Sequence, residues 1–364
     1  MKKTLTLACA IAAPLLFSQS AIAAFDYFKT DGSFKRFSVS AGWLHASPQG
    51  KANPMQTTTA IKDGKVADIG TIKAKTVQDV LVKKQPGYTF ISGILAPIAL
   101  LDGDLPPSLS GKAEINGLES WTSAGTGLEA DDADTVGLLF NYYMNDKWSV
   151  ELKAGIPPKV DILGQGEVFA PLTGTAHTAL GDYDIKNDIR ITDLTQGGGV
   201  ASTARAWLPA AEVHYQFGKS GVNKFRPYVG AGVLYAYFND IELNDGIRND
   251  LEIAGHQIQN IRNGEAGKAL EIKDKDGKIV EANLSKSGMN VDVKADSSFA
   301  PIFTVGATYD FNDRWYGVGS VSYAKLDSDT TITVKNDSGE ELIRAGTTLD
   351  IDPYITYLGV GYRF

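Results

Sequence analysis

The chain ends in DPYITYLGVGYRF (residues 352–364), where apolar or aromatic residues alternate with small or polar ones up to a final phenylalanine. Counting back from Phe364, one face carries Tyr362, Val360 and Leu358, and the positions between them hold arginine and glycine. This period of two is the pattern of a β-strand with one apolar face. Because chain ends of soluble domains are usually poorly ordered, an apolar terminal strand indicates another environment for this end.

The N-terminal segment 1–23 has the pattern of a secretory signal peptide. Two lysines follow the first methionine, residues 4–17 are apolar, and the small residues 21–23 (AIA) fit a cleavage site. The apolar part is shorter than the ~18 residues needed for a spanning helix. Cys9, the only cysteine, lies in this segment, so we expect the exported chain, residues 24–364, to contain no disulfide.

Charge and hydropathy exclude two classes of protein. The formal net charge is −8, and no cluster of lysine or arginine is present, whereas nucleic-acid binding depends on neutralising phosphates. No apolar stretch is long enough for a membrane-spanning helix, since the nearest, FISGILAPIALL (90–101), is short and contains Gly93 and Pro97. A secreted soluble protein and an outer-membrane barrel remain.

Eight stretches of the chain alternate between apolar residues and polar or glycine residues, which predicts eight strands with one apolar face. They are residues 36–45, 134–144, 147–156, 209–217, 225–238, 299–311, 315–326 and 352–364. Their length suits tilted strands that cross a bilayer. Aromatic residues such as Trp148, Phe311 and Trp315 gather at the strand ends, as in membrane girdles. The sequence therefore predicts an all-β fold, an eight-stranded antiparallel transmembrane β-barrel.

The connections between these strands alternate between short and long. MNDKW (144–148) and FNDRW (311–315) are nearly identical tight turns, and GKSGVNK (218–224) is a third short connection. The long loops comprise about 47–133, 157–208, 239–298 and 327–349. Short periplasmic turns and long extracellular loops are typical of outer-membrane barrels, and eight strands place both ends of the barrel in the periplasm.

Three segments within the loops carry patterns of their own. IKDGKVADIG (61–70) and LEIKDKDGKIVEANL (270–284) are predicted to form hairpins around Asp-Gly turns. DKDG (274–277) is also similar to the start of a calcium loop, but no acidic residue completes one. The apolar run 90–101 would cover the barrel mouth, contact lipopolysaccharide or pack within its own loop, and packing is the favoured interpretation.

The strand motifs resemble a known family. VELKAGIPPKVDI (150–162), FRPYVGAGVLYAYF (225–238), the two NDxW turns and the closing strand are similar to the OmpW family of outer-membrane proteins, although the loops here are longer, especially the first. The resemblance implies an eight-stranded barrel and passive uptake of small hydrophobic molecules. It also implies lateral exit of the solute through a gap in the barrel wall into the bilayer.

Prolines indicate where such a gap would lie. Pro157 and Pro158 end the third strand, and Leu208 with Pro209 opens the fourth, in agreement with the proline positions of the family. Proline lacks an amide hydrogen and interrupts strand pairing. The alternative is that these prolines only terminate strands before a loop.

The face opposite the apolar one would point into the barrel. Because side chains alternate between the two faces of a strand (here called parity), this inward face carries Arg36, Glu151, Lys153, Glu212, His214, Arg226, Asp310 and Arg363. Because both signs of charge are present, a salt-bridged plug is one expectation for this interior. At the positions of Lys153 and Ser322 the resemblance implies apolar residues, and the polar residues found here would suit a solute with a polar end.

Two other functions remain open. The first is a structural or adhesive barrel, or a surface receptor for host or phage, with a plugged lumen. The second is a lipid-directed barrel enzyme, which needs a histidine with serine or acidic partners. Only His45, His177, His214 and His256 are available, and no triad is recognisable, although Ser47 lies near His45. We therefore expect no enzymatic activity, cofactor or metal.

The expected partners follow from the outer-membrane interpretation. Tyr362 and Phe364, in the terminal strand, would guide membrane assembly through the barrel-assembly machinery. Outer-membrane lipid, lipopolysaccharide and small hydrophobic solutes complete the expected partners, and a monomer is favoured. The predicted location is the outer membrane of a Gram-negative bacterium.

Overall fold

The computed structural model describes residues 34–274 and 276–364, so the predicted signal peptide lies outside the described residues. Eight antiparallel strands form a closed barrel. They are β1 (Phe37–Ser47), β2 (Ala133–Tyr143), β3 (Trp148–Gly155), β4 (Ala210–Gln216), β5 (Phe225–Leu243), β6 (Ser298–Asp310), β7 (Trp315–Ala324) and β8 (Tyr354–Arg363).

Each barrel strand pairs with its neighbours along the chain, and β8 pairs with β1 to close the barrel. The eight predicted strands are confirmed to within two residues at most ends, but β5 continues five residues beyond its predicted end, residue 238. Alternation places apolar side chains outside and small or polar side chains inside. Leu152 and Val305 are exposed on the outer surface, for example, whereas Glu151 and Thr304 are buried inside.

Aromatic rings in the interior lie flat over glycines of the neighbouring strand. Tyr316 is paired with Gly361, and a Cβ added to that glycine would lie 2.2 Å from the tyrosine Cζ. Tyr228 and Gly306 form a similar pair across β5 and β6, with 2.5 Å to the same ring atom. The glycines in these strands thus leave room for bulky rings inside a narrow barrel.

The two NDxW turns share one hydrogen-bond pattern. Asn145 Oδ1 accepts from the backbone amides of Lys147 and Trp148, at 2.9 and 3.0 Å. Asn312 Oδ1 accepts from Arg314 and Trp315 in the same way, at 2.9 Å each. The side chain closes each turn locally, so the short turns at this inner end of the barrel are confirmed.

At the opposite, outer end the barrel wall continues beyond its rim. The outer half of β5 pairs with strand Val200–Trp207, which pairs with Lys159–Gln165, which pairs with Gly127–Ala130. These strands continue β4, β3 and β2 outward.

The remaining strands form smaller sheets, here called the outer domain together with the helices. One sheet has the order Gly181–Asp193, Glu167–Thr178, Lys112–Asn116 and Lys65–Asp68. A second has the order Met289–Ala295, Asp327–Asn336, Glu341–Asp350, Met55–Thr59 and Ser120–Ser123. A two-stranded sheet joins Ile72–Lys73 to Asp104–Leu105.

The described helices all belong to the outer domain. The α-helices are α1 (Ala74–Val80), α2 (Tyr88–Leu100), α3 (Pro107–Ser110), α4 (Asp245–Arg262) and α5 (Ala266–Leu270), and the 3-10 helices are Gln196–Gly199 and Glu281–Asn283. None of the helices in the described part of the chain combines the length and apolarity needed to cross a membrane.

One continuous apolar core joins the outer domain to the barrel. It includes Leu234, Ile302 and Leu326 at the outer end of the barrel interior, and Leu251 and Ile258 on the inner face of α4. All five side chains are almost fully buried. The long connections therefore fold into a domain with a core of its own, built directly on the barrel mouth.

The predictions for the loop segments had different outcomes. The hairpin predicted over 61–70 is wrong, because strand Lys65–Asp68 pairs with Lys112–Asn116 and not with its own neighbour. Segment 270–284 does turn back on itself, since Val280 N donates to Ile272 O at 2.6 Å. The apolar run 90–101 lies almost entirely in helix α2, which packs against the outer domain on one side only.

Candidate functional site: the barrel interior and the seam between β3 and β4

A charged cluster crosses the barrel interior at the level of Lys153. Its Nζ atom lies 2.6 Å from Glu212 Oε1 and 3.7 Å from Glu151 Oε1. It also donates to Thr304 Oγ1 at 3.0 Å and to Ser322 Oγ at 2.9 Å, on the far side of the barrel. One ammonium group thus ties β3 to β4, β6 and β7.

The two carboxylates face each other directly, because Glu151 and Glu212 are register partners across β3 and β4. Like charges in this position repel each other, and Lys153 offsets the repulsion. Asn141 Nδ2 donates to Glu151 Oε2 at 2.7 Å, and His214 Nε2 lies 3.1 Å from Glu212 Oε2. Residues 141, 151, 153, 212 and 214 are all buried, and we call them the charged floor.

A second polar layer closes the barrel nearer its inner end. Arg363 Nη1 pairs with Asp310 Oδ1 at 2.7 Å, and its guanidinium lies 4.3 Å from the Tyr316 ring centroid. Arg226 donates to the carbonyl oxygens of Asp146 and Phe217. Both arginines are buried inside the barrel.

Arg36, which parity also placed in the lumen, lies at the inner rim. Its Nη1 donates to Met144 O, in the turn between β2 and β3, at 3.0 Å, and the side chain is partly exposed. Ser322, in contrast, is buried in the interior, where it holds Lys153 and Thr304.

The space left between these two polar layers is small. The cavity there has a volume of about 10 Å³ and is lined by Glu151, His214, Tyr228 and Tyr316, among others. That volume suits about one water molecule, so this cavity is too small for an organic solute. Above the floor the interior becomes apolar, with Ala210, Leu234 and Ile302 buried.

The ladder between β3 and β4 stops directly above the floor. The last register pair is Lys153 with Ala210. Farther out, pairing resumes between strands Lys159–Gln165 and Val200–Trp207. Its first contact is the hydrogen bond from Ala206 N to Pro158 O, at 3.0 Å, and its first register pair is Lys159 with Arg205. The residue numbers of each pair add up to 363 below this interruption, as for Lys153 with Ala210, and to 364 above it, as for Lys159 with Arg205. The register therefore shifts by one residue across the interruption. We call the interruption, residues 154–157 opposite 207–209, the seam.

Of the predicted lateral-opening residues, Pro157, Leu208 and Pro209 lie in this seam, and Pro158 borders it where pairing resumes. Pro157 and Pro158 follow the end of β3, and Leu208 and Pro209 precede β4. Leu208 is half-buried and packs against the apolar core, while Pro157 O accepts from Arg205 Nη1 at 3.2 Å. Both edges of the seam remain fixed on their other sides, since Ile156 N donates to Val136 O at 3.0 Å and Tyr235 N donates to Pro209 O at 2.9 Å.

The terminal residues lie in an aromatic cluster at the inner end. Phe364 N donates to Phe37 O at 2.9 Å, which continues the β1–β8 ladder to the last residue. The Tyr362 ring contacts the rings of Phe364 and Trp315, each with centroids 5.1 Å apart.

The remaining histidines are held by local partners. His45 Nδ1 lies 3.0 Å from Asp134 Oδ1, and the hydroxyl of Ser47 accepts from Gln49 instead. His256 Nδ1 lies 2.7 Å from Ser285 Oγ in the outer domain. Burial lowers the pKa of His256 below its ordinary value of 6.5. Within residues 34–274 and 276–364, no group of three or more His, Cys, Asp or Glu residues is arranged to hold a metal ion.

The alternation of side chains along each strand would have found three interior residues that the sequence prediction omitted. Thr304 precedes the outward-facing Val305, and Tyr228 precedes the outward-facing Val229. Asn141 lies on β2, where the same reasoning applies. Their contacts with the floor, however, come from strands far apart in the chain.

A closed eight-stranded barrel with an apolar outer surface, a polar interior and aromatic residues at its inner end defines an integral outer-membrane β-barrel protein. Comparison with known proteins agrees with this class. The model of the OmpW family matches residues 108–284. Outer membrane protein W of Vibrio cholerae is 29% identical over 156 residues, which cover 43% of this chain and 51% of that protein. Outer membrane protein W of Salmonella typhi is 25% identical over 238 residues, which cover 65% and 76%.

The chain is thus similar to the OmpW family over residues 108–284, and as an outer-membrane barrel it lies in the Gram-negative outer membrane. Among solved structures, outer membrane protein OprG from Pseudomonas aeruginosa is similar, with a TM-score of 0.47 and 16% identity, over 91% of this chain and 96% of that one. The alignment spans about half the length of the Vibrio cholerae relative. Short turns of outer-membrane barrels face the periplasm, so the inner end of this barrel is periplasmic and the outer end is extracellular.

Proposed function

We propose that the protein admits small hydrophobic or amphipathic molecules from outside the cell and releases them sideways into the outer membrane. The observation that carries this proposal is that the seam begins where the charged floor ends, at the pair of Lys153 with Ala210. A solute that reaches the floor meets a barrier below it and an unpaired stretch of wall beside it.

The floor opposes passage of an apolar solute to the periplasm. Burial of an uncharged, apolar molecule among an ammonium group and two carboxylates would break their pairing, which is unfavourable in a dry interior. The apolar side chains above the floor favour such a solute, and the hydrocarbon of the bilayer is its preferred destination. The polar atoms of the floor would contact the polar end of an amphipathic solute.

The seam lowers the barrier to movement through the wall. Opening a paired ladder in lipid leaves amide and carbonyl groups without partners, at several kcal/mol each. Pro157, Pro158 and Pro209 have no amide hydrogen, so fewer groups lose a partner when the seam widens. Ile156 and Trp207 are exposed on the outer surface at this level and would contact the departing solute.

The test is a reversible crosslink across the seam in whole cells. The register of the β3–β4 ladder, continued three residues beyond its last pair, would place Ile156 opposite Trp207, so cysteines at these two positions should form a disulfide there. Cysteines at Leu152 and Ala211, a register pair in the intact ladder below, provide the matched control. Cys9 lies in the predicted signal peptide and should not compete.

Oxidation of the Ile156→Cys/Trp207→Cys variant should slow entry of a hydrophobic dye severalfold, and reductant should restore it. Oxidation of the Leu152→Cys/Ala211→Cys control should leave entry unchanged. A complete crosslink at the seam with undiminished dye entry would refute lateral exit.

A second candidate function is a surface receptor or adhesive barrel with a plugged lumen, and the outer domain supports it. Its core and its three sheets form a folded surface, which suits contact with another cell or with phage. We propose that neither function involves catalysis by this protein. Replacement of residues 55–123 by a short linker should abolish an adhesive or receptor function but preserve solute entry.

A further inference from the structure

Helix α2 exposes an apolar surface. No charged residue occurs from Gly87 to Leu101, and only Ile91 and Leu95 of the helix are buried. Phe90 is 62% exposed, and Leu100 and the following Leu101 are 86% and 83% exposed. A helix that is apolar on all sides is normally covered, so this surface, here called the distal apolar helix, indicates a contact with something outside the chain.

The distal apolar helix lies far from the membrane that holds the barrel. Strands Asp327–Asn336 and Glu341–Asp350 leave the barrel rim and rise for ten residues, which is about 33 Å along a strand. At their tip, Glu340 forms a two-pronged ion pair with Arg262, at 2.6 and 2.7 Å. The C-terminal end of α4 therefore lies at this outer tip of the two strands.

Successive contacts connect that outer tip to the distal apolar helix. Helix α5 follows α4 and packs beside it, and Gly267 N donates to Ile69 O at 2.9 Å. Glu271 Oε1 accepts from Lys73 N at 2.6 Å, at the start of α1. Gln78 of α1 then donates to Ser92 O in the distal apolar helix, at 3.3 Å.

A second set of contacts also places the distal apolar helix at the outer side of the outer domain. Leu81 pairs with Ile185, in the outer half of strand Gly181–Asp193. The other end of that strand meets the barrel wall where Leu194 N donates to Gly166 O. The outer leaflet around the barrel is therefore not what covers the distal apolar helix.

The flanking charges indicate the chemistry of the partner. Residues 73–104 hold four lysines and three aspartates, in a chain with a net charge of −8. At the C-terminal end of the helix, Asp102 and Asp104 are both paired with Lys73, at 3.5 and 2.9 Å. At the N-terminal end, Lys83 and Lys84 are exposed. An apolar patch beside exposed lysines matches a bilayer surface with anionic headgroups.

We propose that the distal apolar helix inserts into an anionic lipid bilayer other than the one that holds the barrel, such as the surface of another cell. Phe90, Leu100 and Leu101 would enter the acyl boundary, and Lys83 and Lys84 would contact the headgroups. This inference is independent of the proposed uptake function.

The experiment uses the exported chain in nanodiscs and measures co-flotation with lipid vesicles. Vesicles of phosphatidylcholine alone are compared with vesicles that also contain phosphatidylglycerol. The test variant carries Phe90→Ser, Leu100→Ser and Leu101→Ser, all at exposed positions. The control is Val222→Ser, an exposed apolar residue in the periplasmic turn. The mobility change on heating shows that each barrel is folded.

The wild-type protein and the Val222→Ser control should float with the anionic vesicles. The triple variant should bind at least about tenfold more weakly, because three apolar side chains no longer leave water. Lys83→Gln with Lys84→Gln should weaken binding to anionic vesicles but not to neutral ones, and salt should have the same effect.

Two outcomes would overturn the inference. Flotation of the triple variant as efficient as that of the wild type would show that other residues bind lipid. Wild-type discs that pair with one another and ignore vesicles, while triple-variant discs stay single, would show that a second copy covers the helix.

Discussion

Replacement of Lys153 by methionine tests whether the charged floor stabilises the barrel. The change keeps the length of the side chain but removes the ammonium group that lies 2.6 Å from Glu212 and 3.7 Å from Glu151. The two carboxylates are register partners, so they would then face each other without a cation between them. Thr304 and Ser322 keep their own hydrogen bond of 2.7 Å and add little to the loss.

The expected loss of stability follows from the burial of the ion pair. Removal of one partner of a buried pair lowers the free energy of unfolding by about 3–5 kcal/mol, because the other charge stays buried. The small polar cavity beside Glu151 admits about one water molecule, which could solvate the unpaired carboxylate. We therefore expect a loss of stability near the lower limit of this range. A second change, Glu212→Gln, removes the excess charge and should restore most of the stability.

Urea unfolding in lipid vesicles, followed by tryptophan fluorescence, measures these differences. The matched control is Lys159→Met, because Lys159 pairs with Glu242 at 2.7 Å on the exposed wall. Exposed pairs contribute about 0–1 kcal/mol. Equal stability of Lys153→Met and Lys159→Met would refute the reasoning, and so would a further loss when Glu212→Gln is added to Lys153→Met.

Three further predictions concern other parts of the molecule. Gly361→Ala should lower the free energy of unfolding by about 1–3 kcal/mol, since its Cβ would lie 2.2 Å from Tyr316; Gly93→Ala, where no atom lies within 4 Å, should not. Deletion of Phe364 should reduce the amount of folded barrel in the outer membrane, measured by heat-modifiable mobility, and normal levels would contradict a role in assembly. The outer domain should lose stability as the pH falls below 6.5, because burial lowers the pKa of His256 in the folded state. The unfolded state therefore binds a proton at His256 at a higher pH than the folded state does, and acid favours unfolding. Limited proteolysis should show this loss in the wild type and less of it in His256→Gln, and equal pH dependence would contradict it.

The interior of the barrel was predictable only in part. Parity along single strands placed Glu151, Lys153 and Glu212 on the inner face, since side chains alternate along any strand. It could not show that Lys153 reaches Thr304 and Ser322, which lie 151 and 169 residues away. That contact depends on the stagger of β3 against β6 and β7 around the closed barrel.

The sequence by itself determined the barrel. Alternation and tight turns are local properties, so eight strands, their order and the NDxW turns could be derived from short stretches. The outer domain is different. Strand Met55–Thr59 pairs with Glu341–Asp350. Strand Lys65–Asp68 pairs with the distant strand Lys112–Asn116 and not with the segment just before its Asp-Gly turn. Such pairings depend on which distant segments the barrel brings together and on the shared core they bury, and only the tertiary structure decides that.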